Sequence, residues 1–317
     1  MEPETRQLVC PHCGNRISVP AELESFSCVY CGEKLKLSEF FPTPDQQPDE
    51  KDLAYVETHL FDCIRDYPQI YRSFTRKNYE SSFRTYEEEI ADTYLAMDRC
   101  VCAAPFQREA LLNKFAEEFM DSWESYHSAA AAGRRKAEAE KQMIFSRMTL
   151  AWYAIPAIRD LKLSVSDAYT DRLIAVFNRK YPDGPITAAS YTDLLSGFRK
   201  RGLCFITTAV CAYEGKPDDC AELTAFRTFR DTWLARTEAG RALIEAYYDL
   251  APAIVQAIGL CGRPDEVYPY IRRTYLEPCY AALQSGQPET CCSIYKSMVT
   301  HLKERCHLQE IGREMPS

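Results

Sequence analysis

The chain lacks any long apolar run, which argues against a segment that crosses a membrane. Its longest stretch without a charged residue, Leu250–Gly262, has 13 residues, whereas a spanning helix needs about 20 apolar residues. The first five residues are acidic and carry no apolar run, so they do not have the pattern of a signal peptide. We therefore expect a cytoplasmic protein.

Positive charge is also scarce, because 38 Lys and Arg face 46 Asp and Glu, giving a net charge of −8. A chain with this balance has no overall attraction for DNA, RNA or an anionic membrane. The sequence contains no GxGxxG, Walker, HExxH or GxSxG motif, each of which would indicate a known chemistry. No complete catalytic set is visible, so the sequence favours a protein that is not an enzyme.

What the chain does have is an ordinary globular composition, with 46% hydrophobic and 26% charged residues over 317 positions. That length predicts two or three domains. It also has 15 cysteines. In a reducing compartment, closely spaced cysteines indicate metal ligands or free thiols rather than disulfides.

Two matched cysteine pairs predict a metal site near the start of the chain. Cys10 and Cys13 form one C-x2-C pair, Cys28 and Cys31 form a second, and a glycine follows each pair. Thiolates two residues apart in a tight turn can bind one ion, and glycine suits the positive φ that such turns often need. We predict one structural zinc ion bound by all four cysteines, with iron as the alternative because its ligands would be identical. His12 lies between two ligands and is interpreted as an exposed spacer.

The charge of residues 1–40, the segment that we expect to form a zinc ribbon, indicates what kind of partner it binds. Residues 1–40 contain four basic and six acidic residues, whereas a nucleic-acid-binding module usually has a basic face. A structural or protein-binding role is therefore favoured over nucleic-acid binding.

The rest of the chain is predicted to be mainly α-helical. Apolar residues recur at steps of three and four from Leu53 to Tyr67, Phe83 to Val101 and Leu111 to Tyr126, as in amphipathic helices that pack as a bundle. We predict a zinc ribbon at 1–40, a Pro-rich linker at 41–50, a helical bundle domain at 51–200 and a second helical domain at 201–317. Asp49 is the predicted N-cap of the first helix.

Several local features have more specific interpretations. Pro156 is expected to kink the helix from Met143 to Leu161, and Gly133 to break the Ala-rich helix around it. Asp218 or Asp219 is expected to cap the helix that follows. The run Cys204–Val210 is β-branched but too short to assign as helix or strand.

The C-terminal third carries a distinctive set of motifs. The run Cys-Phe-Ile-Thr-Thr-Ala begins at Cys204, Lys-Pro-Asp-Asp begins at Lys216, and Phe-Arg-Thr-Phe-Arg-Asp begins at Phe226. Tyr-Tyr at 247–248 and Ala-Pro at 251–252 follow. Together, over about residues 202–285, these resemble the bacterial and archaeal proteins with a CFI-box C-terminal domain, some of which also carry a zinc ribbon and a helical middle region. The resemblance implies a helical domain and no established activity.

This chain departs from the common form of the box after its first three residues. The run Val-Cys-Ala-Tyr at 210–213 stands where small residues and Ala-Tyr-Gly are usual. The departure puts in doubt any close backbone approach that those small residues would allow.

Cys204 is the one candidate nucleophile. Basic residues at 199–201 would lower the pKa of its thiol, with Asp218 or Asp219 as orienting groups. Against this, Cys204 opens an apolar run, cysteine is often buried, and no histidine is near in sequence. A buried structural thiol is favoured. A second metal site at Cys204, Cys211 and Cys220 is disfavoured because the spacing matches no knuckle.

Arg227 and Asp231 are four residues apart and are expected to pair on a helix. Overall, we expect an adaptor or regulator that binds other proteins. The alternatives are a cysteine-dependent enzyme that uses Cys204 and, less favoured, a nucleic-acid-binding protein.

Overall fold

The computed structural model describes residues 5–20, 23–40, 47–132, 135–199, 204–260 and 264–306. The fold is mainly α-helical, with two small antiparallel hairpins before the first helix. The predicted fold class is therefore confirmed.

The two hairpins form the N-terminal ribbon. Strand β1 (Thr5–Val9) pairs with β2 (Arg16–Pro20), and β3 (Ser25–Ser27) pairs with β4 (Lys34–Lys36). Along β2 the side chains alternate between exposed and buried positions, as a strand with one covered face requires. The ribbon has its own small apolar cluster, formed with two of the cysteines by Leu8, Ile17, Val19, Leu35 and Leu37.

Eight α-helices fill residues 50–199 of the described chain. They are α1 (Glu50–His59), α2 (Asp62–Arg65), α3 (Tyr79–Ala103), α4 (Arg108–Ala131), α5 (Lys136–Thr149), α6 (Ile155–Asp160), α7 (Ser166–Lys180) and α8 (Tyr191–Arg199). The Asp49 side chain accepts a hydrogen bond from the Lys51 N–H at 2.8 Å, so the predicted N-cap is confirmed. The apolar faces predicted from Phe83 to Val101 and from Leu111 to Tyr126 are largely buried on α3 and α4. The run predicted from Leu53 to Tyr67 is divided between α1, where Val56 is buried, and α2, where Ile64 is buried. Helix α1 packs on α3, and α4 packs on α7. The predicted break at Gly133 lies outside the described residues.

Six further helices follow in the described C-terminal part. They are α9 (Phe205–Tyr213), α10 (Ala221–Thr232), α11 (Glu238–Leu260), α12 (Pro264–Ile271), α13 (Glu277–Gln284) and α14 (Pro288–Arg305). The undecided run Cys204–Val210 is thus helical from Phe205 onward, with Cys204 as the N-cap. Neither Asp218 nor Asp219 caps α10: the N-cap is Cys220, without a side-chain cap bond, so that expectation was wrong.

Proline shapes two long helical segments in the same way. A π-helical turn at Leu150–Ala154 joins α5 to α6 just before Pro156, and another at Arg272–Leu276 joins α12 to α13 just before Pro278. Pro156 has no N–H to donate to the carbonyl four residues earlier. That carbonyl, of Trp152, instead accepts a hydrogen bond from the Tyr79 hydroxyl at 2.7 Å. The predicted kink is therefore a π-helical turn. The Trp152 carbonyl, which has no backbone donor at Pro156, links this segment to α3 through the Tyr79 hydroxyl.

One continuous apolar cluster runs from Val56 to Cys306. It crosses the predicted domain boundary at residue 200, because α11 packs against both α5 and α8. The division of the helical part into two domains stays a prediction.

Gly240, near the start of α11, marks a close backbone approach in the C-terminal part. The Thr237 hydroxyl accepts a hydrogen bond from the Gly240 N–H at 3.0 Å. A Cβ on Gly240 would lie 1.8 Å from the carbonyl oxygen of Leu234, in the 3₁₀ turn Leu234–Arg236 that precedes α11. Only glycine lets this turn fold tightly onto the helix.

We predict that Gly240→Ala lowers the free energy of unfolding by about 1–3 kcal/mol, because backbone atoms must shift to admit the methyl group. Gly259→Ala, in the same helix with no atom within 4 Å of the added Cβ, is the matched control. It should be neutral or stabilising by up to about 1 kcal/mol. Urea unfolding of the two variants gives the comparison, and equal stabilities would contradict the close approach.

Candidate functional site

The four N-terminal cysteines lie in two turns of the same construction. In the β1–β2 turn, the Cys10 carbonyl accepts the Gly14 N–H at 2.8 Å and the Cys10 N–H donates to Asn15 at 2.9 Å. In the β3–β4 turn, Cys28 makes the equivalent bonds with Gly32 and Glu33, each at 2.8 Å.

Gly14 and Gly32 both have left-handed backbone, with φ of 70° and 76°. Glycine is favoured there because other residues pay a steric cost. Each residue of the first turn has its counterpart 18 positions later, so the ribbon is two copies of one hairpin.

The four sulfur atoms converge on one point. Cys10 Sγ lies 3.7 Å from Cys31 Sγ, and Cys13 Sγ lies 3.7 Å from Cys28 Sγ. All four lie within 4.8 Å of one another. A tetrahedral ion with metal–sulfur bonds of about 2.3 Å would separate its ligands by about 3.8 Å, whereas a disulfide needs about 2.05 Å. The spacing therefore fits four thiolates around one metal ion, and does not fit disulfides.

The protonation of these thiols shows what a cation would contribute. Burial acts to raise the pKa of Cys28, but the backbone N–H groups of Cys31 and Tyr30 lower it to about 7. For Cys31, the Glu33 N–H acts to lower the pKa, but burial and the neighbouring thiols raise it to about 12. Four thiolates cannot coexist this closely without a positive charge among them, and a divalent ion supplies it.

His12 is exposed, as predicted for a spacer. Within the described residues, the four ribbon cysteines are the only group of three or more side chains that could hold a metal ion. Cys211 and Cys220 lie 4.0 Å apart without further ligands of that kind.

We predict that the purified chain binds one metal ion and that Cys13→Ser or Cys31→Ser abolishes stoichiometric binding. A ribbon with so few apolar residues cannot stay folded by burial alone, so chelation should unfold it while the helical signal remains. Elemental analysis and circular dichroism test both points. Cys102→Ser, which removes an exposed thiol far along the chain, is the control and should retain the ion. Full metal content in Cys13→Ser would contradict the site.

Cys204, the second candidate residue, is buried at 6% exposure and forms the N-cap of α9. Burial raises the pKa of its thiol to about 11, despite the opposing charge of Arg230. The Arg230 guanidinium reaches Cys204 Sγ at 3.9 Å. Asp219 is exposed, and the Asp218 carboxylate accepts a hydrogen bond from Arg227 at 2.6 Å. The side chains of the basic residues at 199–201 lie outside the described part of the structure.

The predicted pair between Arg227 and Asp231 does not form. Arg227 turns back to Asp218, while Asp231 accepts two hydrogen bonds from Arg230 at 2.7 and 2.8 Å. Arg230 also donates to the Tyr248 hydroxyl at 3.1 Å and its side chain is 13% exposed. It is therefore part of a polar network that holds Cys204, α10 and α11 together.

A second set of contacts holds Ile206 and Thr207 of the same motif. The Ile206 N–H, which has no partner within α9 because it lies in the first turn, donates to the Tyr247 hydroxyl at 3.0 Å. Tyr295 on α14 also donates to the Tyr247 hydroxyl, at 3.1 Å, and lies 3.2 Å from the Thr207 hydroxyl. The sequence indicated Tyr247 only as part of the motif set and did not single out Tyr295. No spacing rule links residues so far apart in the chain.

With this geometry in hand, comparison with known proteins found that no family model, curated protein or solved structure matches the chain. No helix in the described ranges is both long and apolar enough to cross a membrane.

We predict that Cys204 resists iodoacetamide near neutral pH in the folded protein. With a pKa of about 11, only about 10⁻⁴ of it is thiolate at pH 7, and thiolate is the reactive form. Labelling should rise with pH and become complete on denaturation. Cys102, which is exposed, is the internal reference in peptide mass spectrometry. Rapid stoichiometric labelling of Cys204 in the folded chain would favour the enzyme hypothesis.

Proposed function

We propose that this chain is a zinc-binding cytoplasmic adaptor or regulator that docks other proteins through its N-terminal ribbon. Zinc is the proposed ion because four cysteine thiolates close a tetrahedral structural site for it, leaving no position for substrate. Iron would use the same ligands but would colour the protein. Elemental analysis together with the visible absorption spectrum decides between the two metals.

The observation that supports docking is a pair of apolar side chains at the tip of the second turn. Val29 is 77% exposed and Tyr30 is 64% exposed, although both lie between ligands Cys28 and Cys31. Val9, beside Cys10, is 52% exposed. A metal-bound turn holds such side chains in place before binding, so little conformational entropy is lost on association. Exposed apolar and tyrosine side chains on a rigid element are typical of protein contacts.

The C-terminal part supports an adaptor rather than an enzyme. Its most distinctive residue, Cys204, is buried with a raised thiol pKa, and its polar neighbours position helices. We propose that residues 202–285 form a CFI-box domain, on the motifs quoted above. That assignment carries no activity of its own.

Nucleic-acid binding is the second candidate. Arg16 on β2 and Lys34 and Lys36 on β4 are exposed in the same ribbon as the exposed Tyr30, and exposed aromatic and basic residues together can bind single-stranded nucleic acid. The excess of acidic residues in the ribbon sequence favours protein. Binding to nucleic acid would fall steeply with salt, whereas apolar docking would not.

The test replaces the exposed pair with serine in the variant Val29→Ser/Tyr30→Ser. Loss of a central tyrosine contact costs about 2 kcal/mol or more, so a partner cross-linked to the wild-type chain in cells should bind the purified variant at least about tenfold more weakly. His12→Ser is the matched control, since His12 occupies the place of Tyr30 in the first turn. All three proteins should keep their metal. Equal partner affinity in the three proteins, or salt-sensitive retention of RNA, would overturn the proposal.

A further inference from the structure

Two cysteines flank the Lys-Pro-Asp-Asp motif, which the proposed function leaves unused. Cys211 lies in the last turn of α9 and Cys220 is the N-cap of α10, so together they bound a loop of ten residues. Their sulfur atoms lie 4.0 Å apart, which is van der Waals contact and well beyond the length of about 2.05 Å of a disulfide bond. They are therefore two free thiols in contact.

The two thiols differ in their access to solvent. Cys211 is fully buried, whereas Cys220 is partly exposed and its side chain makes no capping hydrogen bond to α10. A small oxidant can therefore reach Cys220, and that side chain is free to change rotamer. Cys279 also contacts Cys291, through its carbonyl, but both residues are fully buried. An accessible thiol in contact with a second one is typical of cysteines that respond to oxidants.

The backbone of the loop holds the two thiols together. The Lys216 N–H donates to the Cys211 carbonyl at 2.8 Å, and the Cys220 N–H donates to the Pro217 carbonyl at 3.1 Å. Gly215 has left-handed backbone, with φ of 70°, which lets the chain turn back after α9. Because the loop is already closed by these contacts, a bond between the sulfur atoms requires them to approach by only about 2 Å.

Ion pairs connect both ends of the same loop to the helices that follow. Arg272, in the π-helical turn between α12 and α13, is buried and donates to the carboxylates of Glu214 and Glu222. The Lys216 ammonium lies 2.8 Å from Glu214 and 3.3 Å from Glu222. Glu214 directly follows α9 and Glu222 lies in the first turn of α10. A covalent bond between the two cysteines would therefore act on elements that this network already joins.

We propose that Cys211 and Cys220 form a reversible disulfide bond when hydrogen peroxide oxidises the protein, and that this bond stiffens the loop between them. The Cys220 thiolate attacks one peroxide oxygen and becomes a sulfenic acid, while the O–O bond breaks and the other oxygen leaves as hydroxide. That hydroxide takes up the proton that the Cys220 thiol released. The Cys211 thiol then attacks the Cys220 sulfur, the S–O bond breaks, and water leaves with the thiol proton. Two electrons pass from the thiols to the peroxide, and a dithiol reductant reverses the reaction.

The chemistry of Cys211 suits the second step of this order. Burial and the charge of Glu222 raise the pKa of its thiol to about 12, and the neighbouring Cys220 adds to the rise. Cys211 therefore stays protonated, and does not react first, since the thiolate is the reactive form. Conversion of Cys220 to a neutral sulfenic acid removes one of these causes and gives Cys211 a sulfur atom to attack at contact distance.

The test treats the full-length, metal-loaded protein with hydrogen peroxide, at a concentration that leaves the metal bound by elemental analysis. The remaining thiols are then blocked, and disulfide bonds are mapped by peptide mass spectrometry. Cleavage after Glu214 places Cys211 and Cys220 in separate peptides, so an intact bond joins the two. The wild type should give this linked pair in most chains and lose it on treatment with dithiothreitol.

Two variants and a matched control complete the design. Cys211→Ala and Cys220→Ser should each abolish the linked pair, whereas Cys102→Ser, which removes an exposed thiol elsewhere, should form it as the wild type does. Amide hydrogen exchange at 212–219 should slow by at least about threefold in the oxidised wild type, because the bond restricts opening of the loop. It should not change when Cys220→Ser is treated with peroxide. Should the buried substitution Cys211→Ala prevent folding, Cys220→Ser and Cys102→Ser decide alone.

The proposal is overturned if the wild type forms no linked pair, or if Cys220→Ser and Cys102→Ser form it equally well. A link that persists in Cys211→Ala would place Cys204 in the bond and would also overturn it, as would equal hydrogen exchange of the loop in the oxidised and reduced wild type. Failure here would leave the docking proposal intact, since Val29→Ser/Tyr30→Ser should form the disulfide normally.

Discussion

The ribbon depends on the convergence of four sulfur atoms on one point, at the spacing that a tetrahedral cation requires. Its apolar cluster is too small to hold two short hairpins together by burial, so bonds from the four cysteines to a metal ion would supply the missing free energy. Because the two hairpins are copies of one unit, each contributes one buried ligand, Cys10 or Cys28. The same bonds would fix the turn that carries the exposed Val29 and Tyr30. A metal that folds the ribbon would thereby also hold in place the surface that we propose for docking.

The helical part is organised by a different constraint, the need to satisfy polar groups at helix ends and breaks. The Trp152 carbonyl has no backbone donor at Pro156 and accepts a hydrogen bond from the Tyr79 hydroxyl instead. The Ile206 N–H has no backbone acceptor at the start of α9 and donates to the Tyr247 hydroxyl. Both partners are tyrosines from distant helices, and each joins two elements by one hydrogen bond inside the apolar core. Buried polar groups left without a partner are costly, so these tyrosines fix the packing of the helices more tightly than apolar contact alone.

Features that repeat within a few residues were predictable from the sequence. The cysteine spacing, the Asp49 cap and the apolar period of α1, α3 and α4 each depend on neighbours within one or two turns. The expectations that were wrong or left open depended on partners beyond one or two turns. Asp218 has a good cap sequence, but its carboxylate binds Arg227 nine residues later. The run at 204–210 is helical because its apolar side chains, such as Ile206 and Val210, are buried in a core contributed by other helices.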